Sequence, residues 1–171
     1  GKYTVKFEMK DVYQEMGGEY KGKINLIPFH EDTLMLSDLI YGMRKENPAP
    51  TYFNRNGVII QPWNFFTMKK EIPLAIYFEI YNLNLDETGY VNYEVEYQLK
   101  SKKGKRILNF LEQKQRQIGS KYQVMGEKSD EFFTLDLKLP QNVKGQYLLE
   151  IVIKDLLSGK IAGREALLEV E

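Results

Sequence analysis

Tyr3, Val5, Phe7 and Met9 alternate with Lys2, Thr4, Lys6, Glu8 and Lys10. An extended chain repeats its side-chain direction every two residues, so all four apolar groups share one face, whereas a helix would scatter them. The same period returns in Val91, Tyr93, Val95, Tyr97 and Leu99 against Asn92, Glu94, Glu96, Gln98 and Lys100. Both segments are expected to be half-buried strands. Two denser runs, LAIYFEIYNL from Leu74 to Leu83 and YLLEIVI from Tyr147 to Ile153, are rich in β-branched and aromatic residues. They are expected as central strands covered on both faces.

Further strands are expected at Glu19 to Ile27, Thr33 to Tyr41, Tyr52 to Asn54 with Val58 to Gln61, Phe132 to Leu139, and Ile161 to Val170. Asn56-Gly57, Glu87-Thr88-Gly89, Lys103-Gly104 and Ser158-Gly159 supply the residues that turns with positive φ require. Many short strands at regular spacing predict a β-sandwich. Ile107 to Ile118 is ambiguous: it can follow Lys103-Gly104 as a strand, but its Glu, Gln, Lys and Arg content favours helix with Gly119 as the stop. A strand is expected at its start, and the remainder is left open.

The two ends of the chain rhyme. GKYTVKFEMKD, from Gly1 to Asp11, aligns without a gap on GQYLLEIVIKD, from Gly145 to Asp155, with Gly, Tyr, Lys and Asp identical at matching positions. In immunoglobulin-like sandwiches a tyrosine near the start of the penultimate strand bonds back to the chain just before it. Gly145 and Tyr147 fit such a tyrosine corner, with Gly145 allowing the bend. Leu149 stands where antibody domains place a disulfide cysteine, and Lys160 to Glu171 returns as the last strand.

The expected fold is therefore all-β: a complete immunoglobulin-like antiparallel sandwich over residues 33–171, preceded by a β-hairpin over residues 1–28. That hairpin matches the last two strands of a preceding sandwich. Pro28 to Asp32 is the expected boundary. A lone two-stranded ribbon with an apolar face is marginal, so the hairpin should dock on the second sandwich or on another copy of the chain, as in a homodimer through residues 1–28.

Composition narrows the function. Twenty-four basic residues balance 24 acidic ones, so no long-range field favours nucleic acid or an anionic membrane. No apolar run approaches the roughly 20 residues of a membrane helix. Cysteine is absent, which removes disulfides, thiolate metal sites and cysteine nucleophiles. His30 is the sole histidine and sits in a polar connector, where an exposed residue is expected rather than a metal ligand or base.

Carboxylates gather at turns, as Asp11, Asp86 with Glu87, Asp130 with Glu131, and Asp155. None shows calcium-loop spacing, and solvated turn residues are expected. Lys100, Lys102, Lys103, Lys105 and Arg106 are expected at a solvated hairpin tip. No metal, cofactor or catalytic residue is assigned.

The candidate binding residues are aromatic. Tyr52, Phe53, Trp63, Phe65 and Phe66 crowd a segment broken by Asn56-Gly57 and Pro62. Flat rings on a loop stack on saccharides or anchor a protein partner. The competing reading has Trp63 capping the core and the Phe pair at a strand edge.

LSDL from Leu36, FNRNGVIIQPWNFF from Phe53, IYFEIYNL from Ile76, YEVEYQL from Tyr93 and the Gly-x-Tyr hairpin ending at Asp155 form a set. This set resembles the C-terminal β-sandwich region of bacterial proteins named for a GWxTD motif, common in Bacteroidetes-type organisms. The Gly-Trp-x-Thr-Asp motif itself is absent. The resemblance implies a non-catalytic, periplasmic or extracellular module of a longer chain, and the expected role is an interaction or scaffold module that meets a protein partner or other domains of that chain. A carbohydrate-binding module built around Trp63 is the alternative, and an enzyme is the least favoured.

Overall fold

The computed structural model describes residues 1–11, 13, 16–26, 28, 30–63, 67–68, 72–101, 117–138 and 144–170. Its elements are all strands: β1 (Lys2–Lys10), β2 (Gly17–Asn25), β3 (Met35–Leu36), β4 (Ile40–Arg44), β5 (Phe53–Arg55), β6 (Val58–Pro62), β7 (Thr67–Met68), β8 (Leu74–Tyr81), β9 (Val91–Ser101), β10 (Gln117–Gly126), β11 (Glu131–Leu137), β12 (Gly145–Asp155) and β13 (Ile161–Val170). The chain divides into two compact units, residues 1–31 and 32–171.

The first unit is the antiparallel ribbon β1–β2, paired from Lys2 with Asn25 to Lys10 with Gly17. The second unit is a β-sandwich. One sheet has the order β10-β9-β12-β13-β7, and the other β11-β8-β4-β6-β5 with β3 also on β8. Every pairing is antiparallel except the short β13–β7 contact.

Alternation builds the core. Ile76, Phe78 and Ile80 of β8 meet Tyr93, Val95 and Leu99 of β9 and Leu149, Ile151 and Ile153 of β12 in one buried cluster. The opposite face of β8 is covered as well: Ala75 and Tyr77 join Val58 and Ile60 in a second cluster, with Ile40 and Phe53 packed against it. Two covered faces explain the unbroken apolar run of β8.

β12 departs from the same expectation. Its outward residues Leu148, Glu150 and Val152 are half-buried, shielded by neighbouring strands within the sheet.

The expected strand Thr33 to Tyr41 is broken. β3 pairs Met35 with Tyr81 and Leu36 with Ile80, whereas β4 pairs Ile40 with Tyr77 and Tyr41 with Ile76. The register slips by one residue between them, which is a β-bulge at Ser37 to Leu39. Ser37 holds the gap by accepting the Glu79 N–H on its Oγ at 2.9 Å. From the other sheet Arg164 reaches the same place, donating to the carbonyls of Leu36 at 2.8 Å and Ser37 at 3.2 Å. This clasp ties β13 across the sandwich edge.

Gln117 and Ile118 lie in β10, while 107–116, and 102–106 of the expected basic tip, are outside the described residues. Gly145 adopts φ 104°, where a side chain would be strained, and Tyr147 is buried. Residues 139–143, toward which a tyrosine-corner hydroxyl would point, are outside the described residues.

Candidate functional site

The Asn56-Gly57 pair forms the tight turn between β5 and β6, with φ of 53° and 75°, as type I′ geometry requires. That turn sits over the outer face of β8. Asn56 Nδ2 donates to the Tyr77 hydroxyl at 2.8 Å, and Tyr77 in turn donates to Glu79 Oε1 at 2.6 Å. Arg55 Nε meets the same carboxylate oxygen at 2.7 Å, and the Tyr81 hydroxyl donates to Oε2.

Glu79 is only 7% exposed, so this is a buried carboxylate whose two oxygens are both engaged by donors of its own chain. A buried charge is tolerated where such partners replace water. Burial, and then the bond to Glu79, pushes both Tyr77 and Tyr81 up to about 12.

A cavity of about 400 Å³ opens beside this network. Arg55, Asn56, Glu79 and Tyr81 form one side, and the β10–β11 connection with Phe132 forms the other. Phe132 lies 5.8 Å from Tyr77, ring on ring, and stays 38% exposed. On the rim, the exposed side chain of Glu127 makes no hydrogen bond or ion pair among the described residues, and Asp130 accepts the Asn82 N–H at 3.1 Å, whereas the Glu131 carboxylate is half-buried beside Gly126 and acts on the buried Tyr93. The site therefore offers fixed donors and acceptors at its floor, solvated carboxylates at its rim, and one ring face.

The aromatic residues singled out in the sequence do not form one platform. Phe53 packs 4.8 Å from Tyr77 in the second apolar cluster. Trp63 is half-buried against the main core instead, with its backbone N–H bonded to the Tyr41 carbonyl at 3.2 Å. Tyr52 is half-buried, its N–H on the Ala49 carbonyl at 2.9 Å, and Phe65 and Phe66 lie outside the described residues. His30 is exposed.

The turn carboxylates differ from the solvated picture in one case. Asp86 spends Oδ1 on the N–H groups of Thr88 and Tyr90 at its own turn, and Asp11 accepts the Tyr13 N–H at 2.8 Å. Asp155, however, is fully buried. It accepts from Asn84 N at 3.0 Å, Leu157 N at 3.0 Å and the Ser158 hydroxyl at 2.6 Å, because the closing hairpin folds over it.

Glu79 is the residue that the sequence reading missed. Its signal was a lone carboxylate inside an apolar strand, with tyrosines two residues to either side and hence on the same face. No protein-family model matches the chain, and no curated protein matches it.

Proposed function

We propose that residues 32–171 are a non-catalytic interaction module, an immunoglobulin-like sandwich of a longer extracytoplasmic bacterial polypeptide related to the GWxTD-named proteins. The strand order supports the immunoglobulin-like arrangement: the chain crosses between sheets from β8 to β9, from β10 to β11, and from β11 to β12, in Greek-key fashion. The observation that carries the non-catalytic reading is the engagement of Glu79. Its oxygens brace Tyr77, Tyr81 and Arg55 rather than facing an approaching substrate. A general base must reach the proton that it removes.

The recognition surface in this reading is the cavity between the Asn56-Gly57 turn and the β10–β11 connection, and the partner is a protein. Placing a photo-crosslinking residue at Lys128 in the parent cell should give one discrete protein adduct, lost in Glu127→Lys and unchanged by Lys45→Ala away from the cavity. A ladder of unspecific adducts insensitive to Glu127→Lys would remove this surface from consideration.

The exposed ring of Phe132 beside polar groups gives the saccharide reading its own observation. Polysaccharide retardation in native gels, abolished by Phe132→Ala, would favour it over a protein partner. Trp63 gives a further check. Because its indole packs on the core, its emission is expected to stay constant through a saccharide titration, and a shift would place the ligand near β6 instead.

A further inference from the structure

The ribbon β1–β2 reproduces the pairing register and turn length of the hairpin β12–β13. Pairing in the ribbon runs through Tyr3 with Ile24, Val5 with Gly22 and Phe7 with Tyr20 to Lys10 with Gly17. In the sandwich it runs through Tyr147 with Leu168, Leu149 with Ala166 and Ile151 with Arg164 to Lys154 with Ile161, at the same spacing throughout. The connecting turns agree too. Asp11 N–H donates to the Met16 carbonyl at 2.7 Å as Asp155 N–H donates to the Lys160 carbonyl at 3.0 Å. Asp11 Oδ1 accepts from Tyr13 N at 2.8 Å as Asp155 Oδ1 accepts from Leu157 N at 3.0 Å.

Two generic amphipathic hairpins share a period of two, but they have no reason to share register, turn length and an aspartate closing the turn in the same way. The sandwich shows what this hairpin requires. Tyr147, Leu149, Ile151 and Ile153 are buried beneath the opposite sheet, and β12 pairs along its other edge with β9. Both the covering strand β8 and the flanking strand β9 precede the hairpin in the chain. In the ribbon the equivalent Tyr3, Phe7 and Met9 are 55%, 60% and 78% exposed, and β1 has β2 as its one strand partner among the described residues. Residues 32–171 already hold a closing hairpin of their own.

We infer that β1–β2 is the closing hairpin of another sandwich whose remaining strands lie in the same polypeptide N-terminal to residue 1. Those strands cover Tyr3, Val5, Phe7 and Met9 and pair along the open edge of β1. The protein is then a tandem array of like modules, with Leu26 to Asp32 as the link. This inference is independent of the cavity.

Amide hydrogen exchange on two forms of the protein tests it: residues 1–171, and the parent polypeptide lengthened by the roughly 100 upstream residues a sandwich needs. The shorter form should be monomeric by light scattering, with β1 exchanging fast. In the longer form, protection over residues 3–9 should rise by about 100-fold, toward that of β12. Phe7→Asp in the longer form should remove that gain while leaving β12 protected. The inference is overturned if lengthening adds no protection, if the parent reading frame has no such upstream segment, or if residues 1–171 form a dimer that Phe7→Asp breaks. That last result would make a second copy the cover.

Discussion

Asp155→Ala is expected to lower the melting temperature of the 32–171 unit by about 10 °C, a loss of roughly 3 kcal/mol at its size. The carboxylate accepts from Asn84, Leu157 and Ser158 in a site closed to water. Removing it leaves part-buried N–H groups without their acceptor and frees the turn between β12 and β13 from the strand end at Asn84. Asp155→Asn keeps one acceptor oxygen and should cost less than half as much. Asp11→Ala makes the same cut in an exposed turn and should cost under about 1 kcal/mol in residues 1–171.

The contribution of Asp155 also sets a pH dependence. Burial, the largest single effect, opposes its ionisation, but hydrogen bonds from Ser158, Asn84 and Leu157 together outweigh it and hold the carboxyl below its ordinary value of 3.8. A folded-state value below the unfolded one gives stability that is complete above the unfolded value and is lost as pH falls through the folded one. The difference between wild type and Asp155→Ala should therefore be full above about pH 5 and shrink below about pH 4. Thermal melts across that range measure it.

Glu79→Ala should cost about 3 kcal/mol in urea denaturation, since it takes their shared acceptor from the buried Tyr77 hydroxyl, the half-buried Tyr81 hydroxyl and a guanidinium. Arg55 is far more exposed, so Arg55→Ala alone should cost about 1 kcal/mol or less. The double variant should be less destabilised than the sum of the two, because the residues act as one unit.

Absorbance titration separates this from a general loss of packing. In the wild type Tyr77 and Tyr81 ionise at about 12, raised from 10, so their stabilisation is complete below pH 10 and is lost as pH climbs through about 12. In Glu79→Ala both should ionise earlier, with Tyr93, raised to about 12 mainly by burial, as the internal reference. Unchanged tyrosine titration would show that the carboxylate does not hold them.

Much of this fold was legible because strand periodicity is a local property. β9 announced its buried face residue by residue, and the apolar run of β8 foretold cover on both sides, whereas the apolar side chains of β1, expected as half-buried, stand mostly exposed in residues 1–31. Asn56-Gly57 and Ser158-Gly159 marked their turns through backbone chemistry alone. What depended on distant partners was hidden. The bulge at Ser37 to Leu39 exists because two segments pair with β8 in registers one residue apart, which no stretch of sequence states.

The candidate site was legible only in part. Asn56 of the β5–β6 turn belongs to it and Phe53 packs in the apolar cluster beneath that turn, but Trp63 packs on the main core. Glu79 was passed over because its tolerance in an apolar strand comes from Arg55, distant in sequence, as much as from the flanking tyrosines. Asp155 looked like any turn aspartate, and its burial depends on Asn84, which follows β8.

A structure of the polypeptide extended upstream of residue 1 tests the central claim most directly. Phe7 should lie beneath a sheet holding a counterpart of β8, with a further strand paired along β1 where β9 pairs along β12. An upstream segment folded apart from an uncovered Phe7, or a second copy of the chain lying on that face, would contradict it.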